Sequence, residues 1–382
     1  MIYLDNAATT RMLPEVLEAM MPFFTEQYGN PSAIYRLGSS GKRALNEARD
    51  ILAGGIGAKR EEIYFTGSGS EADNWAIKSV AENYAHKGKH IITTKIEHHA
   101  VLHTCKYLEQ KGYQVTYLDV DGDGLVSPQA VRDAIRPDTI LVSVMFANNE
   151  VGTVEPIEEI GRIARAAGVL FHTDAVQAFG QLPIHVEDMS IDLLSASAHK
   201  IHGPKGVGML YVRSGVNITS FLHGGAQERS RRAGTENVPG AVGFGKAAEI
   251  ALKKMEENGK YKQELRDYMI AGLERVICDC KLNGHRIKRL PGNVNMSFAG
   301  IEGESALIRL DMQGICASAG SACTSGSIAP SHVLLAMGLE PATARGSIRL
   351  TLSEETTYAE VDEVVACLKE IVEGLRETLD LG

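Results

Sequence analysis

The feature that most constrains this fold is a regular alternation of strand-like and helix-like segments between residues 63 and 212. Amphipathic stretches, such as 71–84 and 157–167, separate most of the apolar runs. Seven short apolar runs read as strands, at residues 63–66, 90–94, 115–118, 140–146, 169–173, 191–195 and 208–212. The alternation predicts an α/β fold whose mostly parallel, seven-stranded sheet is covered by helices.

The pattern changes after about residue 259 and predicts a second domain. A long helix over 261–276 leads to strands at 294–298 and 347–352, and a terminal helix covers 358–379. This is an α+β arrangement, and a chain of 382 residues is long enough for two domains. We expect a large α/β domain of residues 15–257 and a smaller α+β domain of residues 1–14 and 258–382.

Composition excludes several classes of protein. The net charge of −9 argues against direct binding of nucleic acid, which needs a basic surface. The chain lacks an apolar run of membrane-spanning length, and its first residues do not resemble a signal peptide. Six scattered cysteines favour reduced thiols and a cytoplasmic location over a disulfide framework. The histidines lack the spacing of a zinc site with cysteines, so no dedicated metal site is expected.

An acid and a lysine follow two successive predicted strands. Asp174 comes directly after the strand at 169–173, a short helical crossover leads from it to the strand at 191–195, and Lys200 follows that second strand. A lone lysine is usually a solvated surface charge, but this pairing suits a pyridinium cofactor. The acid would keep the ring nitrogen protonated, and the lysine would form the Schiff base. Pyridoxal phosphate is the cofactor that these two residues predict.

A small-residue turn between a strand and a helix predicts the phosphate site. The run Thr-Gly-Ser-Gly-Ser-Glu at 66–71 follows the first strand and opens the helix predicted at 71–84. Small residues let backbone N–H groups approach an anion, and the helix N-terminus favours negative charge. The alternative is that Ser70 merely caps the helix.

Three further positions could contact the ring or the substrate. An imidazole in Glu97-His98-His99 could stack on a cofactor ring and move protons, although a structural, hydrogen-bonded histidine is the simpler alternative. Asn149 follows the strand at 140–146 and offers an amide. Gln177 would reach the phenolic oxygen of the ring if the turn after Asp174 is helical.

Cys323 lies in a setting unlike that of a packed thiol. The run at 318–327, Ser-Ala-Gly-Ser-Ala-Cys-Thr-Ser-Gly-Ser, is small and polar and predicts a backbone that can move. Cys316 has apolar neighbours and is the better candidate for an inert core thiol, and Cys105 on a predicted helix is likewise expected to be structural.

Several motifs together resemble cysteine desulfurases of the NifS/IscS type. They are Leu-Asp-Asn-Ala-Ala-Thr-Thr at 4–10, Gly-Asn-Pro-Ser at 29–32, Ser-Ala-His-Lys-Ile-His-Gly-Pro-Lys-Gly at 197–206, Gly-Thr-Glu-Asn at 234–237 and Gly-Ser-Ala-Cys-Thr-Ser at 320–325. The resemblance extends from residue 2 to about residue 355. The last two motifs are similar to those of the group-one branch, within the class-V aminotransferases of PLP fold type I.

The resemblance implies a role for each matching residue. Lys200 corresponds to the Schiff-base lysine, Asp174 to the partner of the ring nitrogen, and His98 to the ring-stacking acid and base. Thr235 corresponds to a residue that reaches the phosphate of the partner subunit, which implies a homodimer. The other matches are Gln177 for the phenolic oxygen, Gly69, Ser70, Ser197 and His199 for the phosphate, and Asn149 and Arg349 for the substrate carboxylate.

The same resemblance implies the reaction. L-cysteine would give L-alanine and a persulfide on Cys323, carried on a mobile loop at about 318–330. The sulfur would pass to an iron–sulfur scaffold protein or a tRNA-thiolating enzyme, and in some members this cysteine is also a transient [2Fe–2S] ligand. The alternatives are another fold-type-I enzyme (an aminotransferase, a β-lyase or a selenocysteine lyase) or a non-enzymatic scaffold that has kept the fold.

Overall fold

A seven-stranded sheet is the largest element of the protein, whose computed structural model describes residues 1–319 and 330–380. The strands are β1 (Ile2–Tyr3), β2 (Ile63–Thr66), β3 (His90–Thr94), β4 (Gln114–Leu118), β5 (Thr139–Ser143), β6 (Leu170–Asp174), β7 (Leu193–Ser197), β8 (Gly208–Val212), β9 (Cys280–Leu282), β10 (Asn293–Phe298), β11 (Ile315–Cys316) and β12 (Ser347–Thr351).

The helices lie between and around these strands. They are α1 (Pro14–Met20), α2 (Pro22–Thr25), α3 (Arg36–Gly54), α4 (Gly69–Tyr84), α5 (His99–Glu109), α6 (Pro128–Ala134), α7 (Ile157–Ala166), α8 (Gln227–Ser230), α9 (Val238–Lys253), α10 (Met255–Val276), α11 (Gly303–Met312), α12 (His332–Ala336), α13 (Pro341–Arg345) and α14 (Tyr358–Asp380). Short 3₁₀ helices cover Arg60–Glu62 and Ala198–Lys200.

The large sheet has the predicted mostly parallel character. Its strand order is β2-β8-β7-β6-β5-β3-β4, and β8 alone runs antiparallel to both of its neighbours. Successive residues on each strand face opposite sides, so the sheet builds one apolar core on each face. Phe171 and Phe244 belong to one core, and Trp75 and Leu210 belong to the other. The α/β prediction is confirmed.

Two local predictions were wrong. The strand expected at 140–146 ends at Ser143: Val144 and Phe146 still donate to the backbone of β6, but the N–H of Met145 donates to the Glu97 side chain (2.9 Å). The crossover after Asp174 contains turns rather than a helix, since Gly180 has a positive φ of 73° and Pro183 follows it.

The C-terminal third packs around a separate sheet. Strands β12, β10 and β9 form a three-stranded antiparallel sheet, and β1 pairs with β11 in a parallel ladder. Met296, Ile348 and Leu368 belong to a core distinct from those of the large sheet. The division at residues 257 and 258 stays a prediction.

Two cysteines differ in burial in a way that the sequence only partly indicated. Cys105 is fully buried on α5, as expected for a structural thiol. Cys316 is only partly buried, because the two-residue strand β11 has a single neighbour, β1. In the described part of the chain, no helix combines the length and the apolar character needed to cross a bilayer.

Candidate active site

The carboxyl ends of the parallel strands open into a cavity of about 300 Å³. Ten of the twelve residues singled out from the sequence line it: Gly69, Ser70, His98, Asn149, Asp174, Gln177, Ser197, His199, Lys200 and Arg349. Seven further residues complete the lining: Ala7, Ala8, Ser68, Asp73, Met145, Ala147 and Val176. Cys323 lies outside the described residues.

The N-terminal segment lies across the lysine side of the cavity. Lys200 ends the 3₁₀ turn after β7, and its Nζ donates to the backbone oxygens of Ala7 (2.5 Å) and Ala8 (2.8 Å). The Gln177 amide also donates to the Ala7 oxygen, at 3.0 Å. These backbone acceptors were not predicted. The sequence feature that could have indicated them is the Asn-Ala-Ala-Thr-Thr motif at 6–10, whose side chains do not themselves suggest a contact with Lys200.

Asp174, at the end of β6, is buried in the cavity wall and is close to a second carboxyl group. Its Oδ1 accepts from the N–H of Val176 at 2.9 Å. Burial raises the pKa of Asp174, while that hydrogen bond and Lys200 act to lower it. Ligand atoms of Asp73, His98 and Asp174 all lie within 4.8 Å of one another. Asp73 was not predicted. The feature of the sequence that could have indicated it is an acidic residue on the mostly apolar, buried side of α4.

The N-terminus of α4 forms the opposite wall. Ser68 caps the helix, because its Oγ accepts from the N–H of Glu71 at 3.1 Å. The capping role considered for Ser70 is therefore filled by Ser68, and Ser70 is exposed at the cavity. A Cβ atom on Gly69 would lie 2.5 Å from Val176 Cγ2. Glycine at position 69 thus lets the helix N-terminus approach Val176 closely.

His98 is oriented by the start of α5. The N–H of Ala100 donates to His98 Nδ1 at 3.1 Å, so the neutral ring carries its proton on Nε2. Burial, and then the Lys200 charge, lower the pKa of His98 to about 4. His99 does not line the cavity; its ring instead contacts those of His103 and His332. At neutral pH, His98 therefore offers an uncharged Nε2–H.

Arg349, on β12, links three parts of the chain that are distant in sequence. Its Nη1 donates to the backbone oxygen of Asn149 and its Nη2 to Asp5 Oδ1, both at 2.9 Å. Its buried Nε has no hydrogen-bond partner among the described residues. Asp5 was not predicted, because nothing in the sequence relates it to a position 344 residues away.

Both described ends of the segment that contains Cys323 are fixed beside this cavity. Ser318 exchanges two backbone hydrogen bonds with Arg349, at 2.6 and 3.1 Å. Ser331 caps α12 and donates to the buried carboxylate of Glu150, the neighbour of Asn149.

Thr235 lies in a different place. It is exposed and lines a separate, smaller cavity with Gly67 and Arg232. Arg232 forms a bidentate ion pair with Glu71 (2.8 and 3.1 Å). The Glu71 carboxylate also accepts a hydrogen bond from the N–H of Gly67. This second cavity thus adjoins the loop that precedes α4.

Comparison with known proteins agrees with this geometry. The model of the aminotransferase class-V family matches residues 2–364. The chain belongs to the class-V aminotransferase family. Cysteine desulfurase IscS of Methanosarcina thermophila is 56% identical over 375 residues, covering 98% of this chain and 93% of that protein. A solved NifS-like protein has a TM-score of 0.92 and 40% identity, with 97% and 99% of the two chains covered. The structure titled "SspA in complex with cysteine" has a TM-score of 0.81 and 37% identity, with 94% and 100% covered.

Pyridoxal phosphate is the cofactor of this class-V family, and the residues of the cavity fit it. Asp174 supplies a carboxylate for a cationic ring nitrogen, and Lys200 supplies a primary amine. With the close packing that Gly69 allows, the α4 N-terminus, Ser197 and His199 would be available to a phosphate group. The cavity thus offers a matching partner for a cationic, an aldehyde and an anionic group of one molecule.

Proposed function

We propose that this chain is a pyridoxal-phosphate-dependent cysteine desulfurase. It takes sulfur from L-cysteine, releases L-alanine and holds the sulfur as a persulfide on Cys323. The observation that best supports this proposal concerns the segment that contains Cys323. Its described ends, at Ser318 and Ser331, lie beside the cavity that contains Lys200 and Asp174. The relatives named cysteine desulfurase and the related structure with cysteine support the same choice of substrate.

The substrate carboxylate binds at Arg349 and Asn149. A guanidinium binds a carboxylate strongly through paired N–H groups, and burial of Arg349 (4% exposed) strengthens the attraction. Asp5 and the Asn149 oxygen already hold the guanidinium in position from two sides. The amino group of the substrate is then directed toward Lys200, which lines the same cavity.

Proton transfer falls to Lys200 and His98. When bound, pyridoxal phosphate supplies an electron sink conjugated to the α-carbon of the substrate. Asp174 would make a positive charge on the ring nitrogen favourable, because its carboxylate lines the cavity and is buried. His98 presents its Nε2–H as a hydrogen-bond donor, since Nδ1 accepts the Ala100 N–H, and the ring would take a proton at Nδ1 by releasing that hydrogen bond.

The sulfur step balances without an external oxidant. The Cys323 thiolate attacks the sulfur of the substrate and forms an S–S bond. The bond between that sulfur and the β-carbon breaks, and its electron pair stays with the carbon skeleton. Protonation of that carbon completes alanine, and the enzyme keeps the transferred sulfur as Cys323–S–SH. An acceptor thiol can then take the terminal sulfur.

The wider setting follows from the same proposal. Thr235 is exposed, outside the Lys200 cavity but next to the loop before α4, as expected if it reaches the phosphate of a partner subunit in a homodimer. The persulfide would pass to an iron–sulfur scaffold protein or a tRNA-thiolating enzyme in the cytoplasm. Cys323 could also act as a transient [2Fe–2S] ligand during such a transfer.

A cysteine substitution tests the proposal. Cys323→Ser should retain pyridoxal phosphate but form no alanine from L-cysteine, because the attacking thiol is gone. Cys278→Ser is the matched control, since Cys278 is an exposed thiol that does not line the cavity. Undiminished alanine production by Cys323→Ser would contradict the mechanism. Consumption of a keto acid with no release of sulfur would indicate an aminotransferase instead.

A further inference from the structure

A second buried carboxyl group lies directly beside Asp174. Asp73, on α4, is 1% exposed, and its carboxyl lies within 4.8 Å of those ligand atoms of Asp174 and His98. Its Oδ1 has no hydrogen-bond partner in the described part of the chain. Asp73 also lines the cavity itself. The mechanism above assigns it no task.

The groups around Asp73 cannot balance a negative charge on it. The nearest basic group is His172, whose Nε2 lies 3.6 Å from Asp73 Oδ1. His172 is fully buried between the hydroxyls of Ser143 (2.8 Å) and Ser195 (3.1 Å), and burial lowers its pKa to about 3. The ring is therefore neutral at pH 7, and the Ser195 hydroxyl near Asp73 is neutral as well.

Asp174 is better placed to carry charge. Its carboxylate accepts the Val176 N–H and is attracted by Lys200. Two carboxylates this close in a desolvated site repel each other strongly, so such a pair tends to retain one proton. Burial, and then the charges of Asp174 and Glu97, raise the pKa of Asp73 by more than the hydrogen bond with Ser195 lowers it. The proton therefore resides on Asp73.

We propose that Asp73 is a positioning residue of the cofactor site: its carboxyl holds the proton of the Asp73–Asp174 pair and confines the negative charge to Asp174, where a cationic ring nitrogen binds. This inference rests on the proposed cofactor site. Asp73 would be a reserve carboxyl, able to ionise and attract the cation only when the Asp174 carboxylate is absent.

A double-mutant cycle separates this role from simple packing. Pyridoxal phosphate affinity is measured for wild type, Asp73→Asn, Asp174→Asn and the double variant. In the wild-type background, Asp73→Asn replaces a neutral group by a neutral group of the same shape, so affinity should fall less than about threefold. In the Asp174→Asn background, Asp73 is the remaining carboxyl, and its substitution should cost at least about tenfold. Equal factors in both backgrounds would overturn the proposal.

Infrared spectroscopy of the loaded enzyme gives a second, direct readout. The wild-type minus Asp73→Asn difference spectrum at pH 7 should contain the carbonyl stretch of a protonated carboxyl. Its absence would mean that Asp73 is ionised and would overturn the proposal. Glu155→Gln is the matched control: Glu155 is another buried carboxyl with an unpartnered oxygen and a pKa raised to about 8, and this variant should keep the Asp73 band. If Asp73→Asn does not fold, Ser195→Ala should shift the same band.

These readouts do not depend on cysteine turnover. A wild-type protein that takes up no pyridoxal phosphate would contradict the proposed function. Normal uptake with equal factors in the cycle would contradict only the role of Asp73.

Discussion

The two ends of the cavity are built by different means. At the end proposed to bind the ring nitrogen, Asp73 comes from α4, His98 from the N-cap of α5 and Asp174 from the end of β6, and two of these three side chains are carboxyl groups. At the end proposed to bind the substrate carboxylate, Arg349 and Asp5 lie 344 residues apart in the chain and meet where Asp5 forms a bridge with Thr351 of β12. The residues of the first end are positioned by the large sheet and its adjoining helices. Those of the second end are positioned by the contact between the N-terminal segment and β12.

This contrast matches what each end would bind in the proposed function. The first end would receive a cation that stays bound through many turnovers, at a carboxylate held at the end of β6. The second end would receive an anion that enters and leaves in every turnover. Its arginine is held by Asp5, by a backbone oxygen and by the ladder to Ser318, the residue that precedes the cysteine segment. Changes at the two ends should therefore have separable effects.

Loss of the lysine, which lies in the same cavity as both ends, should have the largest effect. Lys200→Ala removes the amine that links the cofactor and moves protons, so activity should fall by at least about 10³-fold. Borohydride treatment should covalently trap the cofactor on wild type and not on the variant, as read by intact mass. A cofactor trapped on the variant would place the linking lysine elsewhere.

Asp174→Asn tests the ring-nitrogen end. Removal of the buried carboxylate should lower kcat by about 10²–10³-fold and weaken cofactor binding, because the ring nitrogen loses its charged partner. The KM for L-cysteine should change little. Steady-state kinetics and cofactor titration measure both quantities. A raised KM with an intact kcat would contradict the division between the two ends.

Arg349→Lys tests the carboxylate end. Lysine keeps the positive charge but cannot make the paired contacts of a guanidinium, so KM for L-cysteine should rise about 10- to 100-fold. Cofactor retention, read from visible absorption, should stay as in wild type. Arg345→Lys is a control on the neighbouring helix, where the arginine pairs with Glu302 near the surface. Loss of the cofactor in Arg349→Lys would show that the two ends are not separable.

The smallest effect concerns the pH dependence of stability. His98 has a pKa of about 4 in the folded protein against 6.5 ordinarily, so the unfolded chain binds its proton first as the pH falls. Its contribution to stability should therefore decrease from about pH 6.5 toward pH 4. Urea unfolding of His98→Gln at pH 7.5 and pH 5 should show a smaller acid loss than wild type. His185→Gln, at a largely exposed ring, is the control. An equal acid loss in His98→Gln and wild type would contradict the low pKa.

Sequence reasoning worked best where the chemistry is local to one strand. Asp174 ends β6 and Lys200 follows β7, so the strand pattern alone placed both at the same sheet edge. The turn at 66–71 was recognised as a helix start, although the cap is Ser68 and not Ser70. Single-residue capping depends on backbone angles that composition does not reveal.

Contacts between distant segments could not be predicted in this way. The pairing of Asp5 with Arg349 and the approach of the Ala7 oxygen to Lys200 depend on where the N-terminal segment lies against β12 and against the end of the large sheet. Asp73 was missed for a different reason. An acid inside a helix is ordinarily solvated, and only the fold reveals that this one faces Asp174.

Transfer of labelled sulfur tests the central claim most directly. The loaded enzyme is mixed with L-cysteine carrying a heavy sulfur isotope, alkylated and digested, and each cysteine-containing peptide is analysed by mass spectrometry. We expect one additional heavy sulfur on the peptide that contains Cys323, with alanine formed in equal amount. Alanine formation without heavy sulfur on that peptide would contradict the account.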